Sequence, residues 1–570
     1  MKRVSFLFLA LIMAASLFAG GGQSGGGGTV AAGRTRRYTS LPFVTNRTTV
    51  SMLIPVGAYA NITSYEYNDN TYTKEITDTT GVHFNFITVP SADFATRRNL
   101  LLASGDYPEI LNGGFNFNDM AYYAGEGIII PLDEYHYLEY PMISEAFTKF
   151  PALNTVLRLD DKKVYALPRL DDAIWSTYSV GRAWIHMPWV RDFHQLKYPT
   201  TINELTTCLR WIRDTDVNRN GNMNDEIPLA FASNNVFGST AWFAKSHMPF
   251  VLAQGATGFG LALVNGRVTE QYRANEYRDT LKYMASLYRE GLIKQDAYTM
   301  SMDELRAISR NPDPILGIFI NGFAHDVTGS TDVRWTEQFV LPPMNGPSGR
   351  HWATNREPWG ICQAMWHVTD KARDPELVIA LYDYMATDVM YLNGMNQKGK
   401  TWDNPDPGTL GLDGKPAVYK RIIQDLQVPL NTLWYVNNAM ILIEGRRFGE
   451  QAIGMDAVNR WVTTGDPSVR EAALNSPSYL LGALIHWCAQ DTHSALPDNM
   501  FIPPFVFSDA DNKVVGDIKA VLDAYLQQAI AEFVTGVRDI NNDAAWNAYL
   551  ADLDRLGARE RAEIYQKYLR

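Results

Sequence analysis

The sequence predicts an α/β protein built as two lobes, and three observations carry that expectation. At 570 residues the chain is longer than a single hydrophobic core sustains. From Val50 to Asn112, strand-like apolar runs alternate with helical periodicity, the order of a parallel sheet covered by helices. Two extended, proline-broken segments, KVYALPR (Lys163–Arg169) and FVLPPMNGPSG (Phe339–Gly349), read as an outward and a return crossing between lobes.

The N-terminus reads as an address. Lys2 and Arg3 precede an apolar run, Val4 to Phe18, too short for a comfortable membrane span and typical of a secretory signal over 1–19. Cleavage fits after Ala19 or after Ala32. The Gly-rich stretch that follows makes 20–47 a flexible linker, with disorder expected to residue 45. Val50–Gly57 is a strand, Asn68–Thr79 a helix, and Val82–Val89 a half-buried strand. A helix from Ser91 to Ser104 buries Phe94, Leu101 and Leu102, and SGDYPEILNGG supplies a turn and a short strand.

Further on, Thr201 and Glu204 form a capping box, and Ile202, Leu205, Leu209 and Ile212 follow on one helix face. The next eleven residues carry oxygen-bearing side chains at Asp216, Asn218 and Asn220, a glycine at 221, then Asn222, Asn224, Asp225 and Glu226. Alternate oxygens followed by a glycine are the first three-quarters of an EF-hand-type calcium loop. Position 12 is Ile227, which cannot ligate, so the carboxylates arrive early and the loop closes differently. The same residues also build plain surface turns without any ion. VNGRV (Val264–Val268) is an Asn-Gly hairpin, Ile315–Ile320 a buried strand, and DPELVIALYDYM an amphipathic helix with Leu377, Ala380, Leu381 and Tyr384 on its apolar side. The chain closes with helices.

Composition narrows the function. With 46% hydrophobic and 20% charged residues the chain is an ordinary globular protein. Its net charge of −11 becomes −13 once Lys2 and Arg3 leave with the signal, and there is no basic run beyond Arg34, Arg36 and Arg37. Duplex nucleic acid and anionic membrane are therefore poor partners. The three cysteines, at 208, 362 and 488, make neither a disulfide framework nor a metal cluster. HExxH is missing, the GxSxG and GxGxxG spacings occur only in the Gly-rich stretch over 20–28, and a Walker spacing occurs once, in GMNQKGKT over 394–401. A short spacing match without its strand-and-helix context announces no enzyme class.

Several ordered motifs carry a resemblance: PTTINEL, a helix, DxNxNG and DEIPL over 199–229; SGDYPEI; GIIIPLDEY; the 374–385 helix; the 393–417 insertion; and the final helix pair. Together they resemble family 1 bacterial extracellular solute-binding proteins, the large lipoprotein-type oligosaccharide binders of ABC importers. That resemblance implies a two-lobed periplasmic-binding-protein-like fold (type II), each lobe a mixed or parallel sheet flanked by helices. It places lobe 1 at 48–167 and 342–395, lobe 2 at 168–341 and 396–570, and hinge crossings near 166–169, 340–343 and 393–397. It further implies a structural Ca2+ in the 216–226 loop, held by Asp216, Asn218, Asn220, Asn222 and some of Asn224, Asp225 and Glu226. Residues just past a crossing line the cleft in such proteins, which nominates Arg169, Asp171, Trp175, Tyr178, Trp242, Arg350, Trp352 and Trp359. The implied protein is a secreted monomer that captures an oligosaccharide or other small solute and passes it to ABC permease subunits. The family's lipidated cysteine has no counterpart ahead of Cys208. The competing readings are a secreted carbohydrate-active hydrolase or lyase, whose paired carboxylates would come from distant segments, and a calcium-stabilised adhesin.

Overall fold

The computed structural model describes residues 36–56, 67–90, 93–171 (except 114 and 116), 182–193, 199–248, 260–341 (except 323 and 330–336), 344–347, 361–421 (except 396–397, 400–401 and 412–414), 441–442, 451, 502 and 507–569. The strands are β1 (Thr48–Val56), β2 (Val82–Pro90), β3 (Ile110–Asn112), β4 (Leu167–Asp171), β5 (Arg182–His186), β6 (Ile227–Ala230), β7 (Leu261–Val264), β8 (Arg267–Glu270), β9 (Leu316–Asn321), β10 (Gln338–Val340), β11 (Ile361–Val368), β12 (Trp402–Asp403), β13 (Lys420–Arg421) and β14 (Ile441–Leu442).

They assemble mainly into a six-stranded sheet, β14-β4-β11-β3-β1-β2, and a four-stranded sheet, β10-β5-β9-β6. In the first, β1 is parallel to both β2 and β3, while β11 runs antiparallel to β3 and β4. A strand flanked by parallel neighbours is covered on both faces, and Met52, Leu53 and Ile54 of β1 are all fully buried. In the second sheet β6 and β9 are parallel and β5 is antiparallel to β9. Each sheet has its own hydrophobic core. One is built around Phe84, Trp366 and Tyr382, the other around Ile185, Leu209, Tyr277 and Leu281. Leu522, Phe533, Trp546 and Tyr549 of the C-terminal helices complete the second core.

Local sequence signals fold as their chemistry requires. Thr201 Oγ1 accepts from the Glu204 N–H at 3.1 Å and the Glu204 carboxylate accepts from the Thr201 N–H, starting helix Ile202–Asp214. The β7–β8 turn holds Asn265 and Gly266 at φ 51° and 75°, the left-handed pair an Asn-Gly hairpin uses. Cys208 is a buried free thiol, while Cys488 lies outside the described residues. No described helix is long and apolar enough to cross a membrane.

Three expectations are corrected. Pro168 does not stop the extended run but lies within β4, opposite Ala364 and beside a register shift in β11. Such an irregularity lets a proline, which lacks an N–H, sit inside a sheet. The chain therefore stays in the first sheet to Asp171 and next enters a sheet at Arg182, in the second. Helix Pro375–Met385 is not amphipathic: Glu376 to Asp383 are all buried. One side meets the sheet, where Tyr382 stacks edge-on to Trp366, and another meets helix Pro141–Lys149.

The third correction concerns residues 36–47, which are an ordered strap rather than free linker. Arg37 donates from its backbone N–H and Nε to the two Glu376 oxygens (2.6 and 2.7 Å), and its guanidinium also pairs with Asp374. The Arg36 N–H bonds Glu139 at 3.0 Å, Tyr38 bonds Asp374, and Phe43 packs edge-on between Tyr38 and Tyr384. A Gly-rich composition just upstream gave no hint of these partners, which lie more than 300 residues away for Arg37.

Burial in this region also creates a pH response. Asp383 is 8% exposed and accepts the N–H groups of Met142 and Ile143 at 2.8 and 3.0 Å. Burial pushes its carboxyl up to about 6, against the pull of those two donors. Ionisation is thus harder in the folded chain than in the unfolded one, so the folded state binds more protons between the ordinary carboxylate value and 6. Stability from this group is greatest below that window, falls as pH rises through it, and is level above it. The rise from the ordinary aspartate value to about 6 sets the size at roughly 3 kcal/mol. Asp383→Asn keeps an acceptor for both amides and removes the ionisation. Its melting temperature is expected to exceed the parent's at pH 7 and to match it more closely at pH 4, measured by calorimetry at both values.

Candidate functional site

In open α/β sheets, ligands sit beyond the carboxyl ends of the parallel strands. In the first sheet that edge is formed by Val56, Pro90 and Asn112, with Asp171 of β4 paired to Ile361 there. Gly113 follows Asn112 at φ 81°, donating its N–H to the Met365 carbonyl at 2.6 Å. A side chain at 113 would meet the Met365 sulfur at 2.9 Å, so glycine carries the turn. In the second sheet the edge is formed by Ala230 and Asn321, with Arg182 of the antiparallel β5 opposite Asn321.

Of the eight nominated ligand contacts, Arg169 and Asp171 belong to β4 and run to the edge of the first sheet, with Arg169 half-buried. Trp175, Tyr178, Arg350, Trp352 and Trp359 lie outside the described residues. Trp242 is corrected: it is 4% exposed, on helix Val236–Ala244, and packs edge-on against Phe243 within the second core. Sequence reasoning missed Asn112 and Arg182, which are 2% and 3% exposed at the two edges. Arg182 donates to the Gly322 carbonyl. Lys245, next to the end of the Trp242 helix, is 1% exposed, and burial pushes its ammonium down to about 7, with the Arg182 charge adding to the effect. Charged residues are rarely buried without a role. That rule was the one available signal for Arg182, but a short apolar strand context concealed it.

The 216–226 loop folds as a series of side-chain-to-backbone turns. Asp216 accepts the N–H groups of Asn220 and Gly221 (3.1 and 2.9 Å), and Asn218 Oδ1 accepts Asn220 N–H at 3.0 Å. Asn220 Oδ1 takes Asn222 N–H at 2.8 Å, and Asn222 Oδ1 takes Asn224 N–H at 3.2 Å. Arg219 and Gly221 have φ of 59° and 87°, which wraps the chain tightly. Glu226 Oε1 reaches back to the Val217 N–H at 3.0 Å. Among the described residues, no group of three His, Cys, Asp or Glu side chains converges. Two carboxylate oxygens, Asp225 Oδ1 and Glu226 Oε2, are nevertheless buried without a hydrogen-bond partner. Burial and the neighbouring Asp225 charge both push the Glu226 carboxyl up.

Fold and comparisons now agree on a class. The chain has the two-lobed type II fold of solute-binding proteins, as its motifs led us to expect. The chain is similar to the fructooligosaccharide ABC transporter substrate-binding protein FusA of Streptococcus pneumoniae, 24% identical over 513 residues that cover 88% of this chain and 87% of FusA. The structure of FusA in complex with kestose superposes with a TM-score of 0.62 at 22% identity, covering 91% of this chain and 98% of that one. An HMO-binding ABC-transporter-associated solute-binding protein from Bifidobacterium longum infantis gives 0.63 at 18% identity, covering 92% and 98%. A FusA EF-hand mutant in complex with fructo-nystose is also similar, with a TM-score of 0.62 at 21% identity. No protein-family model matches the chain.

Proposed function

We propose that this protein is the extracytoplasmic solute-binding component of an ABC importer and that its cargo is an oligosaccharide. The observation carrying this reading is similarity to FusA along nearly the whole of both chains, on a shared fold. Two lobes centred on the two sheets close over the solute, which then passes to membrane permease subunits. Arg169, Asp171 and Arg182, at the carboxyl edges, supply hydrogen bonds to hydroxyls. The aromatic residues 175, 178, 352 and 359 supply faces for sugar C–H groups. The protein performs no bond cleavage. Its N-terminal residues act as a secretion signal.

The same reading assigns Ca2+ to the 216–226 loop as a brace between helix Ile202–Asp214 and β6. The donor set is hard oxygen throughout, which suits calcium. Asp216, Asn218, Asn220 and the Asn222 carbonyl would hold it, with Asp225 and Glu226 contributing their unpartnered oxygens. Asn224 is exposed. A thermal-shift screen with kestose, human-milk-type, N-glycan-type and uronate oligosaccharides tests the cargo. At least one is expected to raise the melting temperature and to be recovered intact. No shift with any of them would sink the oligosaccharide reading, and product formed at substoichiometric protein would convert it to the hydrolase or lyase reading.

A further inference from the structure

Among the described residues, the first sheet contains a buried donor and a buried acceptor at paired positions, each without a hydrogen-bond partner. Asn112, the last residue of β3, is 2% exposed, and Trp366 of β11 is fully buried. The two are register partners across the antiparallel β3–β11 pair. Directly opposed residues share a face of the sheet, with Cβ atoms roughly 4.5–5.5 Å apart. Among the described residues neither Asn112 Oδ1 nor Trp366 Nε1 has a hydrogen-bond partner, and they do not bond each other. More than about 90% of buried polar groups in folded proteins are satisfied by protein or ordered water. Two such exceptions at paired positions are therefore one feature, not two.

Chemistry identifies what completes it. Trp366 Nε1 can only donate, and Asn112 Oδ1 can only accept. A single atom that accepts from one and donates to the other is a hydroxyl oxygen. We propose that Asn112 and Trp366 form a hydroxyl-binding subsite at the carboxyl edge of the first sheet, filled by a saccharide hydroxyl or by a bound water. The subsite rests on the oligosaccharide reading only for the first of these sources. β3 ends at Asn112 and the Gly113 turn follows it, while β11 runs on from Trp366 to Ile361. Trp366 is fixed by edge-on contacts with Phe84 and Tyr382 at 6.3 and 5.3 Å, so its indole N–H is held in place without needing that hydroxyl for packing.

The test compares the parent with Asn112→Leu, which removes the amide at similar volume, and Trp366→Phe, which removes the indole N–H with part of the ring. Since the smaller ring leaves a cavity, Trp366→Phe is read by affinity and Asn112→Leu carries the melting-temperature comparison. Kestose affinity is read by calorimetric titration and ligand-free melting temperature by scanning calorimetry. A saccharide hydroxyl predicts about a tenfold weaker Kd in either variant, with the ligand-free melting temperature of Asn112→Leu held. A sequestered water predicts unchanged Kd and a melting temperature lower by roughly 1–2 °C, because the remaining partner loses its bridge. Unchanged affinity together with an unchanged or raised melting temperature overturns the subsite. If Asn112→Leu fails to fold, Trp366→Phe still carries the affinity comparison. Should the parent not bind kestose, the melting temperature of Asn112→Leu alone decides: a fall supports the water-filled site, and no fall overturns it. That outcome is distinct from failure of the oligosaccharide reading, which the parent's own titration reports.

Discussion

Gly81→Ala is expected to destabilise the protein by roughly 2–4 kcal/mol, a large effect for a single added methyl. Gly81 ends helix Thr71–Thr80 at φ 79°, where its N–H bonds the Thr77 carbonyl at 2.9 Å. A non-glycine residue in this left-handed conformation already costs about 1 kcal/mol. Here the added Cβ would also stand against the Val44 carbonyl oxygen, well inside contact distance. That oxygen cannot retreat easily. Val44 N–H bonds the Thr80 carbonyl at 3.2 Å, and Thr48 N–H bonds the Gly81 carbonyl at 3.1 Å, so the strap crosses the helix end under two backbone bonds. Movement there loosens Phe43 from Tyr384 and strains the approach to Arg37 and its buried partner Glu376. Urea denaturation measures the loss. As a control, Gly105→Ala occupies a similar C-cap at φ 75° with nothing within 4 Å of the added carbon, and should cost only the conformational part. Equal losses at the two glycines would mean that the strap does not press on the helix.

The contrast between strap and sheets explains what the sequence made legible. Strands β1 and β2, the helix between them, the capping box at Thr201 and the Asn265–Gly266 hairpin are all local. Each signal lies within a few residues of the structure it causes, and pattern alone finds it. Arg37 and Glu376 are joined by tertiary folding, and nothing near either one names the other. Composition therefore pointed to a flexible segment where a clamp exists. Trp242 shows a second limit. An indole packed in a core and one displayed to a sugar ring have the same neighbours in sequence, because both need apolar surroundings. The 374–385 helix shows a third: its apolar stripe was read correctly, but Glu376 and Asp383 on the other face are buried by strap and helix contacts that periodicity does not encode. Asn112 was invisible for the opposite reason. A lone asparagine before two glycines looks like a turn residue, and only the register with Trp366 gives it a partner.

Withdrawing calcium is expected to produce the other large effect, centred on the loop after helix Ile202–Asp214. With calcium at about one hundred times its Kd, binding to the folded state alone adds about 2.7 kcal/mol. In a chain of this size that corresponds to a melting temperature roughly 2–3 °C higher in calcium than in EGTA. The physical reason is electrostatic. Asp225 and Glu226 are adjacent carboxylates with one buried, unpartnered oxygen each, and the Asp225 charge makes Glu226 harder to ionise. A divalent cation removes that repulsion and supplies the missing partner, while the Asx turns hold the other oxygens in place beforehand. Asp225→Asn and Glu226→Gln keep the shapes but remove the charges. Each is expected to abolish most of the EGTA-dependent shift and to leave the calcium-free melting temperature level or slightly raised. Magnesium should substitute poorly, since its smaller octahedral shell demands a rigidity this loop does not offer. Identical melting curves in calcium and EGTA would leave the loop as a plain Asx-turn surface segment, and the two orphaned oxygens would then belong to water.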